Sequence, residues 1–453
     1  MATDLRPLLE ARSVAVIGAS ADPGKIGGRP IAYMRRLGFT GRIVPVNPGR
    51  AEVQGLPCLP NLDDAGQIDL AIIAAPAAAA ADAVASALRA GVRGVILFTA
   101  GYAEAGEEGR VAQTALADAA RAAGSALLGP NCLGAINIHA RLPATFATAL
   151  EQRSPTAGTF SYMGQSGALG AYWLEMADEA GLGVAKWITT GNEAQVTGAD
   201  ALAYLAADAE TRVIGAYIED IKQPEAFAQA AQTARTAGKT LLAIKSGRSA
   251  GGRAAAAAHT AAQAGDDGWY DGFLRECGAI RVQSLTEMID SARLLTAANP
   301  PVRGPRIGVV TVSGGAGVLI CDAAVEQGLD IAPLSPEQAA DYATFLPSYA
   351  QPRNPVDVTG AVVGDRALMT KALGGLGASP GHDAILLFLG SMGSIADDLV
   401  ESVRVTLAFG KPVVVIWMAA PVAARAALEA MGVPVFDDIP PAVAAIAAVS
   451  RTR

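Results

Sequence analysis

Histidine is almost missing from this chain: three residues, His139, His259 and His382, in 453. Cysteine is as scarce. Cys58, Cys132, Cys277 and Cys321 stand far apart with no CxxC pair, which excludes a disulfide framework and a cysteine zinc site and points to a reducing compartment. No metal site is expected. Charged residues make up 17% and the formal net charge is −8, so no basic surface recommends a nucleic acid as partner. Glycine, proline and charges interrupt every apolar run before it reaches the roughly 18 residues of a membrane span. The start, MATDLRPLLEARSVAVIG, has no basic stretch leading into an apolar one and a cleavage site. The expectation is a soluble cytoplasmic protein with no membrane partner.

What is abundant is small and apolar. Hydrophobic residues reach 51%, raised by alanine, and the length allows roughly two to four domains. Over residues 1–150, short apolar runs at 13–17, 42–46, 70–74, 94–98 and 126–128 alternate with helical patterns such as 30–37 and 80–90. That alternation predicts an α/β domain, a parallel sheet with helices on both faces, whose ligands bind at the strands' C-terminal ends. The first such turn is GASADPGKIGG, residues 18–28. It is no GxGxxG, because Ser20 replaces the second glycine. It is no Walker A loop either, since five residues separate Gly18 from Gly24 and Ile26 follows Lys25. The second strand ends in Val46-Asn47-Pro48 rather than the acid that grips a ribose in NAD enzymes, which disfavours a dehydrogenase. A different phosphate-bearing nucleotide, touching Ser20 and Lys25, stays open beside the plain reading of a tight turn.

The pattern restarts twice. Residues 155–298 carry strand candidates at 158–163, 185–189, 213–218 and 241–245; residues 304–453 carry them at 306–311, 384–389, 412–417 and 433–436. Between them 296–305, TAANPPVRGP, reads as a linker. The expected whole is three doubly wound parallel-sheet domains. In the second, Ser166 and Gly167 of GQSGALG precede a helical run, where free amides and the helix dipole favour an anion; an ordinary serine cap is the alternative. Ser313, Gly314 and Gly315 of VSGGAG stand the same way in the third, as a weak internal echo. Glu219 ends the strand VIGAYIE, facing the crevice of the Ser166 turn, and is preferred to Asp220.

Residues 245–265, KSGRSAGGRAAAAAHTAAQAG, hold His259 in a segment expected to be flexible. A neutral imidazole there is available as nucleophile or base, and Glu219 could fix its tautomer and stabilise its cation. His139 and His382 have no motif around them and read as surface or capping residues. Cys132 has no histidine base nearby, so a buried small cysteine is preferred to a nucleophile.

Five segments, GASADPGKIGG, PVNPGR (45–50), AAPAA (74–78), TAGYAE (99–104) and LLGPNCLG (127–134), together resemble the CoA-binding domain of NDP-forming acyl-CoA synthetases, relatives of succinyl-CoA synthetase. SYMGQSGALG, TTGNEAQV (189–196), YIEDI (217–221) and KSGRS…AHTAAQAG continue the resemblance through the ligase domain, and FLPSYAQPRNPVDVTG (345–360) resembles the NPVD segment of a third one. The resemblance implies a Rossmann-like CoA-binding domain and two flavodoxin-like ligase domains. It implies that Gly18, Ser20, Lys25, Val46 and Asn47 border coenzyme A, that Ala75, Pro76 and Gly101 line its path, and that Asn131 lies near its thiol. His259 would be the phosphorylated residue, Glu219 its partner, and Ser166-Gly167 the phosphate-binding helix start. The family usually reads Ser-His-Thr-Gly where this chain has Ala258-His259-Thr260-Ala261, which bears on the mobility of the segment. No ATP-grasp module is legible, so the chain resembles the α subunit of the split form. ADP or ATP and Mg²⁺ are then expected on a separate ATP-grasp β subunit, and a homodimer or α2β2 assembly by analogy. The implied reaction is acyl-CoA + ADP + phosphate in equilibrium with acid + CoA + ATP. The rival is a CoA or acyl-CoA sensor that lost its catalytic partner.

Overall fold

The structure, a computed structural model, describes residues 2–260, 266–297 and 300–451; the side chains of 257–260 lie outside the described residues. It divides into two compact units, Met1–Leu285 and Thr286–Arg453.

The first unit holds two sheets. In one, Arg42–Val46, Ser13–Ile17, Leu70–Ile73, Gly94–Leu97 and Ala126–Leu128 lie side by side in that order, all parallel. Alternate residues explain why both faces are covered. Val14, Val16, Leu70, Ile72 and Ile96 enter one core, while Ala15, Val44, Val46, Ala71, Ile73 and Val95 enter another. The helices Arg29–Arg36, Ala77–Arg89 and Glu107–Ala122 connect the strands.

The other sheet runs Ile280–Arg281, Thr240–Lys245, Val213–Ile218, Ala157–Gly164, Val184–Thr189, all parallel, and ends in an antiparallel pair, Gly134–Asn137 and Leu142–Thr145. That hairpin falls inside the stretch assigned by sequence to the first domain, yet its hydrogen bonds are to Val184–Thr189 of the second sheet. Its residues are all buried, so no alternation marked them as strand.

The second unit has one parallel sheet, Val356–Asp357, Ile307–Thr311, Ala384–Leu389, Val413–Trp417, Val435–Phe436. The NPVD segment, expected as an ordered loop, supplies its edge strand: Asn354 makes hydrogen bonds to Val309 N and Ile307 O, holding Val356–Asp357 against the first strand of the sheet. In each sheet the parallel strands take the order second, first, third, fourth, fifth, which puts a topological switch point between the first and third. Among the described residues, no helix is long and apolar enough to cross a membrane.

Candidate active site

At the switch point of the first sheet the chain leaves Ser13–Ile17 through Gly18 (φ +85°), where a Cβ would sit 2.8 Å from the Ala74 carbonyl oxygen. Only glycine lets the two strand ends close up this far. Gly18 and Ala19 donate their N–H groups to Val46 O at 3.0 and 3.2 Å, and Asn47 Nδ2 donates to Ala19 O at 2.8 Å. Val46 thus spends its carbonyl on the turn, and its side chain is buried. Ser20 Oγ accepts from Asp22 N at 3.1 Å, and Lys25 is exposed on the turn. Ala75 and Pro76 follow the third strand, with Pro76 capping the helix Ala77–Arg89. Gly101 (φ +99°) follows the fourth strand, and Asn131 (φ +58°) the fifth, so all nine residues implied for CoA share one edge.

Asn131 is held from the second sheet. Its Nδ2 donates to Asn192 Oδ1 at 3.2 Å, while Asn192 Nδ2 donates to Glu104 and, at 3.0 Å, to Gln113 Oε1. Burial pushes the Glu104 carboxyl up, but the amide of Gly101 and the Asn192 side chain outweigh it and leave it below its ordinary value. Cys132 is sealed in: its Sγ faces Leu97 O, it is 3% exposed, and burial pushes its thiol up to about 12. It is no nucleophile.

The second sheet's switch point lies between Ala157–Gly164 and Val213–Ile218. Ser166 caps the helix Gly167–Glu179, its Oγ accepting from Leu169 N at 3.3 Å. With Leu169 N taken by that cap, the N–H groups of Gly167 and Ala168 stand at the positive end of the helix dipole. Glu219 follows the facing strand and is 8% exposed; among the described residues no side chain closes a hydrogen bond on its carboxylate. Asp220 is engaged elsewhere, accepting from Tyr270 Oη at 2.8 Å. The residue that unites turn and strand is Gln165. Its Oε1 accepts from Glu219 N (2.6 Å) and Asp220 N (3.0 Å), and its Nε2 donates to Asp220 O (3.1 Å).

Sequence reasoning missed Gln165 although it stands beside Ser166, because nothing local shows a contact across 54 residues. It also missed Glu193, buried beneath the same crevice and accepting from Thr190 Oγ1 and Gly198 N, both at 2.9 Å. Burial pushes Glu193 up to about 7, against the pull of Lys222 and those hydrogen bonds. Lys245, at the end of Thr240–Lys245, is likewise buried, its ammonium 4.3 Å from the Tyr270 ring centre; burial lowers its pKa.

Within the segment expected to be flexible, Ala250–Thr260 form a helix, as the run of alanines favours. The backbone of His259 is in its last turn; the imidazole and residues 261–265 lie outside the described residues. His382, expected as a surface or capping residue, is 2% exposed, with Nε2 3.2 Å from Ala332 O; burial lowers its pKa. In the second unit Ser313 Oγ accepts from Ala316 N at 3.4 Å and caps the helix Gly314–Glu326, with Gly314 and Gly315 exposed in its first turn.

Residues 12–138 match a CoA binding domain, 157–295 a succinyl-CoA ligase like flavodoxin domain and 307–421 a ligase-CoA domain. The acetate–CoA ligase [ADP-forming] II subunit alpha of Pyrococcus furiosus is 34% identical over 436 residues, 94% of this chain and 93% of that one. The acetate–CoA ligase [ADP-forming] I of Archaeoglobus fulgidus is 35% identical over 360 residues, and there the match spans 79% of this chain but only 51% of the relative. Among solved structures, a dinucleotide forming acetyl-coenzyme A synthetase 1 of Ca. Korarchaeum cryptofilum, in complex with phosphate and ADP, superposes with a TM-score of 0.89 at 28% identity, covering 99% of this chain and 97% of that one.

Proposed function

The chain belongs to the family of ADP-forming acyl-CoA synthetases, in its α-subunit form, and on that premise we propose how its residues carry the reaction. Coenzyme A lies along the carboxyl edge of the first sheet, its phosphates toward Ser20 and Lys25 and its thiol toward Asn131. Phosphate sits on the free amides after Ser166. Its oxygen attacks the thioester carbonyl, the C–S bond breaks, and CoA leaves as the thiolate while an acyl phosphate forms. A ring nitrogen of His259 then attacks phosphorus and the carboxylate departs. Glu219 steadies the imidazole and the positive charge it gains. Positioning and the helix-end field do most of the catalysis, since phosphoryl transfer offers little covalent help. The phosphohistidine passes its group to ADP on an ATP-grasp partner, where Mg²⁺ would also be held; Ser313, Gly314 and Gly315 offer a second helix start for the travelling phosphate.

The observation that carries this reading is the Gln165 clamp, which binds the anion-ready turn at Ser166 to the strand end bearing Glu219. The relatives' names are those of ligases, which supports a synthetase rather than a sensor. Incubating the chain with acetyl-CoA and labelled phosphate should give an acid-labile, base-stable label on protein. His259→Asn should abolish the label and leave CoA affinity unchanged; label surviving that substitution refutes the relay.

A further inference from the structure

We infer that Leu133 sets the size of the acyl group this chain accepts. The inference rests on the reading just given. In that reaction a single carbon, the thioester carbonyl, must meet the CoA sulfur at the Asn131 end and a phosphate oxygen at the amides after Ser166. The rest of the acyl group has to point at whatever stands between those two places.

Leu133 stands there. It follows Asn131 by two residues, and its side chain lies so close over the phosphate turn that a Cβ on Gly167 would be 2.8 Å from Leu133 Cγ. One surface thus touches both halves of the crevice. Its backbone cannot retreat, because Leu133 N donates to Thr189 Oγ1 at 3.0 Å and Leu133 O accepts from Thr145 Oγ1 at 2.6 Å. Those two threonines sit on the strands of the second sheet that flank Gly134–Asn137 on either side, and are themselves buried. The side chain is only half-buried, so part of its isobutyl group remains free to meet a substrate. Such a wall offers neither charge nor hydrogen bond. It accepts alkyl surface and penalises a buried hydroxyl or carboxylate. Because it is pinned, it resists chains that are too long: in apolar pockets one methylene changes selectivity by about 10- to 200-fold.

The probes are acetyl-, propionyl-, hexanoyl- and phenylacetyl-CoA with labelled inorganic phosphate, read as thiol release and as protein-bound label on the full chain. In a single round, the native protein should release thiol from acetyl- and propionyl-CoA at least about tenfold faster than from phenylacetyl-CoA. Leu133→Ala should narrow that ratio by about tenfold or more, and Leu133→Val should shift it the same way by less. A second arm measures binding of the same thioesters without phosphate, by calorimetry, where the native size preference should relax in Leu133→Ala. An unchanged ratio in both arms, with the variant's thermal transition intact, overturns the role of Leu133 and leaves the phosphate relay standing. Label absent with every thioester, while the binding preference still relaxes, overturns the relay and keeps the wall. Native protein that prefers phenylacetyl-CoA overturns Leu133 as a limit on acyl size.

Discussion

Gln165 commits one carboxamide to three backbone groups of the Glu219–Asp220 strand end, at 2.6, 3.0 and 3.1 Å. Gln165→Ala leaves the partly buried N–H groups of Glu219 and Asp220 without their acceptor, a loss of about 1 kcal/mol or more for each. A stability loss of that order should appear in urea unfolding, and phosphohistidine label should fall about tenfold or more, since 1.4 kcal/mol of misplacement already costs that much. CoA affinity, set at the other sheet, should hold; a loss of CoA binding equal to the loss of label would contradict the clamp. Glu193 makes a second prediction. Its folded pKa, near 7, exceeds the unfolded value, so the unfolded chain releases this proton first as pH rises. Stability from this group is fully present below about pH 4.5 and declines as pH climbs to about 7, by at most about 3 kcal/mol at 1.36 kcal/mol per pKa unit. Glu193→Gln keeps the neutral acceptor for Thr190 and Gly198 and should flatten that stretch of the pH–stability curve; an unaltered slope would show that Glu193 titrates normally. At this scale the turns at Gly18 and Ser166 were legible, because glycine and serine announce a tight turn and a helix cap locally. Gln165 and Glu193 were not, because their roles consist of partners that only the fold supplies.

Among elements, the helix Gly167–Glu179 shows why the turn reads GQSGALG. Ser166 supplies the cap, and Gly167 is small because Leu133 occupies the space a Cβ would need. Gly167→Ala forces that leucine or the helix start to move, costing about 1–3 kcal/mol as overpacking does. Phosphate-dependent labelling should drop with it. Combining the change with Leu133→Ala should restore much of the stability, a non-additivity that a double-mutant cycle reads directly; strict additivity would separate the two residues. Strands were legible where apolar runs were bounded by turns: Ser13–Ile17, Arg42–Val46, Val213–Ile218 and Ala384–Leu389 fall where the sequence put them. The two-residue strands Ile280–Arg281 and Val356–Asp357 were not, since such pieces exist only by pairing with a neighbour. The Ala250–Thr260 helix was hidden by its glycines: Gly251 and Gly252 lie in its first turn, and five alanines, 254–258, extend it.

For the whole molecule, one strand order used three times puts every candidate site at carboxyl edges of parallel sheets. The sequence displayed the repetition, because each round restarts with an apolar strand and a small-residue turn. The prolines of 296–305 read as a linker; by contacts the two compact units meet along the chain at Leu285 and Thr286, and Leu294 joins the core formed by Ile307 and Val309. The first body therefore contains the Gly18 turn, Asn131, Ser166, Gln165, Glu219 and the Ala250–Thr260 helix, with its own cores. Residues 1–285 expressed alone should fold with a cooperative thermal transition and bind CoA within about tenfold, 1.4 kcal/mol, of the full chain. Residues 286–453 should bind none. Calorimetry on the two pieces checks both statements, and CoA binding that demands the second piece would move part of the coenzyme site off the first sheet's edge.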